Sequence, residues 1–521
     1  MDHPNDVSRR FVLRSGAAGA VLLGAGGLLA ACSSSSGSPA KSAGTAGGKP
    51  KQGGNLRLGM TEAASTDTAD VTFAASTWDY ALGFLVYDRL NADFISGGFQ
   101  PMLAEEISIP TSTTCTIRLR SGLEFHNGKT ISADDLIATL QRIINPKNPG
   151  AVASLLNIDA TSLRKVDSLT VSFSLTSPNT FLPSHLASLQ SGIVPADYNP
   201  NAPVGSGPFM LKNFQPGTGA TLTRFPNYWN TPPYIDTLTV TGYSTSPALI
   251  DAMKSGAADA ATTFSLSDLA TLQGGNVEIL THPAGGFFPY VMLSDKPPFN
   301  DVKVRQAMRL LVNRSSLVTE LLDGHGRVGN DLFGPNDQDF DSALPQRVQD
   351  VDQAKSLLRS AGMNKLTLDM ATSPFLANAE VVLAQQLSSL GVTINVTNVD
   401  ATTFYSKYYA QSPLFVSYWL NQPLARIDGL CYVPNAHFPE TGWSDPTYLS
   451  LFTKARAQPD AAKRRELMIQ MQQLYYDQGP WLIWGFEDEV DAITSNVHGA
   501  SQDASGFPFN RFLAFKDMWL D

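Results

Sequence analysis

Three consecutive stretches set the tightest limit on the fold: "LTLDMAT" (366–372), "AEVVLAQQLSSLG" (379–391) and "VTINVTNV" (392–399). The first and third alternate apolar and polar residues, the period of a strand, and the middle one has the length and spacing of a helix. Strand, helix and strand in that order form a βαβ unit, which requires a parallel sheet in this half of the chain. Helices surround it at "DVKVRQAMRLLVN" (301–313), "SLVTELLDGHG" (316–326, ending at Gly324), "DQAKSLLRSAGM" (352–363, Gly362 at C′), "SDPTYLSLFTKARAQ" (444–458) and "AAKRRELMIQMQQLYYDQ" (461–478).

The first half reads differently. "NLRLGM" (55–60) has a strand's alternation, as does 116–119, and Asn127-Gly128 signals a turn. Ser132 and Asp135 form a capping box, after which Leu136, Ile137, Leu140, Ile143 and Ile144 fall on one helical face until Pro146. Residues 203–245 read as strands and turns, and no internal repeat points to a solenoid.

The N-terminus carries an address. Ser8-Arg9-Arg10-Phe11-Val12-Leu13-Arg14 matches the twin-arginine export pattern, and residues 15–31 carry no charge. Leu29-Ala30-Ala31-Cys32 then has the form of a lipoprotein box, which makes the Cys32 thiol the expected acylation site. The expected product begins at Cys32 and is anchored by lipid rather than spanning the membrane. Residues 32–52 are rich in Ser, Gly and Ala, too poor in apolar residues for a core, and read as a flexible tether.

From Cys32 onward the chain is too long for one ordinary core and suits two or three subdomains. The full chain's net charge of −10, without basic runs, argues against nucleic acid as a partner. Beyond Cys32 only Cys115 and Cys431 remain, which rules out a disulfide framework.

The chemical motifs fail in turn. Gly324 to Gly329 matches G-x-G-x-x-G, but a helix precedes it and "NDLFGPN" reads as loop, so it serves as a helix end. The seven histidines, at 3, 126, 185, 282, 325, 437 and 498, have no metal-ligand spacing, and G-x-S-x-G is absent. Asp134-Asp135 suits the first turn of a helix, and Glu487-Asp488-Glu489 reads as a solvated turn after an aromatic strand. No catalytic constellation survives, and no cofactor or metal is expected.

Several stretches, in order, resemble the family 5 solute-binding proteins of ABC importers, the dipeptide, oligopeptide and nickel group. They are "GGNLRLGM" (53–60), "LVYDRL" (85–90), "LAEEI" (103–107), "IRLRSGLEFHNGKTISADDL" (117–136), "PVGSGPFMLKNFQPG" (203–217), "FPNYW" (225–229), "ALIDAMKSGAADA" (248–260), "PPFNDVKVRQAMRLLVNRSSLV" (297–318) and "TGWSDPTYLSLFTKA" (441–455). The resemblance covers nearly all of 53–521. It implies an α/β, two-lobed periplasmic-binding-protein type II fold with an extra subdomain in lobe one and the ligand cleft between the lobes. The expected division is a signal peptide at 1–31, the tether at 32–52, lobe one at 53–290 with the inserted subdomain at about 86–195, lobe two at 291–485, and a return to lobe one at 486–521.

The resemblance also points to cleft residues. Its aromatic strand end falls on Tyr418, Trp419, Asn421 and Gln422. Many peptide-binding members carry an amine-gripping Asp three positions past the aromatic, where this chain has Gln422. Arg426 and Asp428 are then candidates for displaced charges, unless they are solvated loop charges, and Trp419 belongs either to the cleft or to the core. Glu62, Trp78 and Tyr80 are further candidates from lobe one. The implied protein is not an enzyme. It is a lipid-anchored extracytoplasmic monomer that captures a small solute, a peptide or peptide-like one first, and feeds an ABC permease with its ATPase. Alternatives are a sugar, a metal chelate or another solute, a sensor or scaffold, and an exported hydrolase.

Overall fold

The computed structural model describes residues 49–93, 99–272, 276–363, 365–372, 377–400, 403–500 and 507–521. Arg9, Arg10, Cys32 and the tether up to residue 48 lie outside them.

The opening strand Asn55–Met60 buries Leu56, Leu58 and Met60 on the face its alternation selects. It lies parallel between Thr237–Gly242 and Ala260–Thr262. Antiparallel strands Gly219–Arg224 and Phe209–Gln215 extend the sheet on one side. On the other side the late strand Gly485–Thr494 inserts between Ala260–Thr262 and Val277–Gly286, antiparallel to both. The helix Thr77–Val86 and residues 507–518 cover this sheet with Trp78, Leu82, Phe507, Phe512 and Phe515. A separate antiparallel sheet comes from Ala104–Thr111, Thr114–Leu119, Thr170–Ser174 and Arg164–Lys165. Beside it runs the helix Ala133–Ile143, where the Asp135 carboxylate accepts from the Ser132 N–H at 2.9 Å and hydroxyl at 2.8 Å.

Beyond residue 287 the chain builds a second body. Tyr290–Met292 pairs with Leu414–Val416 and with Trp481–Leu482. Leu366–Thr372 and Val392–Asn398 pair in parallel across the helix Ala377–Ser388, the βαβ unit the sequence requires. The chain leaves the first sheet for this body after Gly286 and returns to it before Gly485, and in between Gly326–Val328 also pairs with Gly485–Thr494. Away from them, the helix Leu424–Cys431 docks on the first body, with Gly429 so close to Leu155 that a Cβ there would stand 2.4 Å from a leucine methyl.

One local expectation is corrected. Glu487-Asp488-Glu489 is no solvated turn: it lies inside the strand Gly485–Thr494, whose backbone is paired on both edges. The helix Arg314–Leu322 ends at left-handed Asp323 and Gly324 and residues 330–336 follow as loop, both as expected, while Gly326–Val328 between them adds a strand to the same ladder.

The second body is tied together around one buried carboxylate. Asp331 meets Arg314 at 2.7 Å and Arg347 at 2.8 Å, with Arg309 at 4.0 Å, and accepts the Ile483 N–H at 3.1 Å. Burial pushes this carboxyl up, but Arg314, Arg309 and Arg347 outweigh it and hold it below the usual range. A depressed carboxylate contributes stability that is complete above the unfolded value of about 3.9 and is lost as pH falls through the folded one. Asp331→Ala leaves buried guanidiniums uncompensated and is expected to cost about 3–5 kcal/mol. Urea unfolding across pH 2–7, as an approximate range, should also show a shallower acid loss in the variant than in the parent.

Candidate functional site

The opening strand ends in a clamp. Thr61 donates its N–H to the Thr263 hydroxyl at 2.9 Å and its hydroxyl to the Thr263 carbonyl, while the Trp78 indole N–H reaches the Thr61 carbonyl at 2.7 Å. Trp78 itself is buried and acts by position. Held this way, Glu62 takes a φ of 64°, a conformation rare for a side chain with a Cβ and frequent at functional sites. Its side chain stays in contact with solvent while protein surrounds it at longer range. Burial on that scale pushes its carboxyl up to about 7, and Asp67 adds repulsion.

The strand Gly485–Thr494 brings more acid to the same place. Glu487, Glu489 and Asp491 are two apart and share a face. Asp491 is already engaged, 3.2 Å from His282 Nε2 and accepting the Phe509 N–H at 2.6 Å. Glu489 accepts from the Thr262 hydroxyl at 3.4 Å. Glu487 stands opposite Gly286, and a Cβ built there would lie 3.8 Å from the Tyr418 hydroxyl, so Tyr418 reaches over this pair. Burial, then Glu62 and Asp488, push Glu487 up to about 8. Burial, then Asp491 and Glu487, push Glu489 well above its usual range. Tyr418 is raised by burial and then by Glu487, Glu489 and Glu62, which places all four within electrostatic reach. Tyr405 joins them from a single π-helical turn, Phe404–Tyr408, with an exposed ring that responds to Glu62.

A neighbouring, partly open pocket lies where the bodies meet. Tyr80, Phe84 and Gln190 come from the first body, Gln422 and Arg426 from the second, and Phe507 and Arg511 from the C-terminal segment. Arg426 donates to the Gln422 side-chain oxygen at 3.0 Å and to the Ser184 carbonyl at 2.7 Å. The Arg511 guanidinium sits 5.2 Å from the Phe507 ring centre. Tyr80 lies within electrostatic reach of Arg426, and Tyr418 within reach of Tyr80, so the pocket and the carboxylates are neighbours.

Of the candidates from the sequence, Glu62, Tyr80, Tyr418, Gln422 and Arg426 come together here. Others are placed elsewhere. Arg426 and Asp428 are not solvated loop charges, since both are buried on the helix Leu424–Cys431. Asp428 accepts from the Tyr448 hydroxyl inside the second body, where burial pushes its carboxyl up to about 8. Trp419 turns inward: its indole N–H donates to buried Glu440 at 2.9 Å and its rings pack on Phe438 and Trp481. Asn421 is buried beside Gly285, its amide unpartnered among the described residues. The sequence reading missed Glu487, Glu489, Tyr405, Phe507 and Arg511. The period-two spacing of Glu487, Glu489 and Asp491 was the available signal for the first two.

Among the described residues, no set of three His, Cys, Asp or Glu is placed to hold a metal ion. None of their helices is long and apolar enough to cross a membrane.

A profile of the bacterial extracellular solute-binding proteins, family 5 (middle), matches residues 98–430. The chain belongs to that family. It is 24% identical to the dipeptide-binding protein of Escherichia coli K12 over 88% of this chain and 97% of that one. Its fold matches a periplasmic binding protein, AgaA, from A. tumefaciens R10 in complex with agropinic acid (TM-score 0.79, 23% identity, 90% of this chain and 99% of that one). It equally matches the binding protein DppA from Helicobacter pylori in complex with the peptide STSA (TM-score 0.79, 19% identity, 90% and 98%). The two-lobed type II fold expected from the sequence is therefore the fold of this family 5 protein.

Because the Trp419 indole is a core group with a satisfied N–H, Trp419→Ala should cost about 3–5 kcal/mol. Chemical unfolding without any solute checks this.

Proposed function

We propose that this family 5 protein captures a short peptide or peptide-like solute by closing its two lobes and delivers it to an ABC permease driven by an ATPase. The observation that carries the reading is the interlobe site itself. Carboxylates stand at one end (Glu62, Glu487, Glu489), guanidiniums at the other (Arg426, Arg511), and Tyr80 and Tyr418 lie between them. The carboxylates complement a solute's amine. Tyrosines suit the middle because they offer a large face, few rotors and a polar edge. The two connections after Gly286 and before Gly485 supply a hinge, and closure over the solute excludes water and strengthens each polar contact.

The likeness to the dipeptide-binding protein of Escherichia coli supports the peptide class. In this reading the protein catalyses no reaction.

The amine end makes binding pH-dependent. Glu62 and Glu487 ionise only as pH passes about 7 and about 8, and an ammonium binds their ionised forms. Affinity for dipeptides should therefore rise from acid pH and release protons on binding, then fall once the peptide amine, with a pKa of about 7.7–8.0, deprotonates. Titration calorimetry in buffers of different ionisation enthalpy measures both effects. Acetylating the peptide's N-terminus should cost at least about tenfold, ~1.4 kcal/mol. Equal binding of the acetylated form, or stabilisation only by sugars or metal chelates, would overturn the peptide reading.

For the N-terminus we propose twin-arginine export through Arg9 and Arg10 and lipidation at Cys32, supported by the order of the pattern, the uncharged stretch and the lipoprotein box. The protein then works outside the cytoplasm as an anchored monomer. Cys32→Ala should move it from membranes to the soluble fraction, and persistence in membranes after an alkaline wash counts against lipidation.

A further inference from the structure

Residues 154–157 and 177–185 form a wall of the first body that faces three helices of the second. The wall is stiffened from behind. Ile158 bridges to Leu175, next to the strand Thr170–Ser174, and the Thr176 N–H reaches the Asn157 carbonyl at 2.7 Å. The Asn179 amide and a His185 ring nitrogen meet the Leu155 carbonyl at 2.7 and 3.0 Å. Asn157 closes the helical turn Ala153–Leu156 at a φ of 53°, and its side-chain amide donates to the Ser177 hydroxyl at 3.1 Å, which leaves its oxygen for the other body.

Across the seam, the helix Pro446–Ala457 ends against this wall. The last carbonyls of a helix have no partner within it. Here Thr180 reaches two of them from the other body, donating its N–H to the Arg456 carbonyl at 2.8 Å and its hydroxyl to the Ala455 carbonyl at 3.4 Å. The Arg456 guanidinium donates to the Asn157 side-chain oxygen. The Phe181 and Phe452 rings stack with centres 6.4 Å apart and planes at 15°, and the Arg464 guanidinium sits 5.6 Å from the Phe181 centre. Leu155 packs on Gly429, and among the described residues the only atoms within 4 Å of a Cβ built at 429 belong to that leucine. Every one of these contacts runs directly from body to body, so every one is made on closing and broken on opening.

Resting on the lobe-closure reading above, we propose that this wall is a clasp: it keeps a fraction of the molecules closed before a solute arrives, and so sets the affinity for all solutes alike while the cleft sets which solute is preferred. A site competent in only one conformation binds with an affinity lowered by the fraction of molecules in that conformation. Weakening the clasp therefore scales every dissociation constant by one factor and leaves their ratios intact. The Thr180 N–H reports on the clasp alone, because its acceptor lies in the other body, whereas the Thr176 N–H reports on the wall itself.

The test compares the full-length protein with Gly429→Leu, whose new side chain wedges against Leu155. Without solute, amide hydrogen exchange at Thr180 should be at least about tenfold faster in the variant, with Thr176 unchanged. Titration calorimetry with glycyl-leucine and with alanyl-alanine should show both weakened by one common factor. Equal exchange at Thr180 in the two proteins overturns the proposal, and so does loss of affinity for one peptide only. If Thr176 also loses its protection, the wall has unfolded and Asn157→Gly decides instead. Glycine accepts the φ of 53° and removes the acceptor of Arg456 without adding bulk, so Thr180 should exchange about threefold faster while Thr176 does not. No change at Thr180 in that variant overturns the proposal. The two readings fail separately. If no peptide binds the parent protein but Thr180 behaves as stated, the peptide reading falls and the clasp stands. If peptides bind and Thr180 exchanges equally in parent and variants, the clasp falls and the peptide reading stands.

Discussion

The antiparallel ladder between Val277–Gly286 and Gly485–Thr494 is the constraint on which everything else depends. It closes the first sheet, and the strands that form it lead directly into the two connections to the second body. It also decides which way the acids face. Pairing slipped by one residue would send Glu487, Glu489 and Asp491 to the opposite face. The irregularity between His282 and Gly286 is where the ladder absorbs the change from sheet to hinge. The buried His282–Asp491 pair marks the register inside the sheet, so the carboxylates beyond it toward the cleft have a fixed origin.

Some of this was legible in residues alone and some was not. The βαβ unit, the capping box at Ser132 and the helix ends at Gly324 and Gly362 were readable because local chemistry determines them. The acidic strand was misread for a physical reason. Three consecutive charges look like a turn unless one knows that strands more than 150 residues away supply hydrogen bonds on both edges. Cleft membership is harder still. Trp419 and Tyr418 are adjacent, yet alternation sends one indole to Glu440 and the other ring toward the carboxylates. Nothing in the dipeptide itself says which is which. Arg511 and Phe507 were invisible because their partners at the seam come from helices far away in sequence.

The site's polar groups divide into those already engaged and those held ready. Asp331 and Glu440 are buried carboxylates with full sets of donors, and they maintain the second body. Glu62 and Glu487 have protein around them but no Lys or Arg paired with them among the described residues, and the remaining segments of 49–521 contain neither residue type. Leaving such groups uncompensated costs stability in the empty protein. A solute that brings the missing charge recovers that cost, so its binding energy is concentrated where the lobes meet.

The position of Gly485–Thr494 in the first sheet has a consequence for how the chain is made. Ala260–Thr262 and Val277–Gly286 have no shared partner until that strand arrives between them. A nascent chain would carry two open strand edges through the synthesis of the whole second body, and open edges invite mispairing. The first body is therefore finished last, only after the ribosome has passed residue 494. Any route that takes this protein across a membrane already folded has to wait for nearly the complete chain.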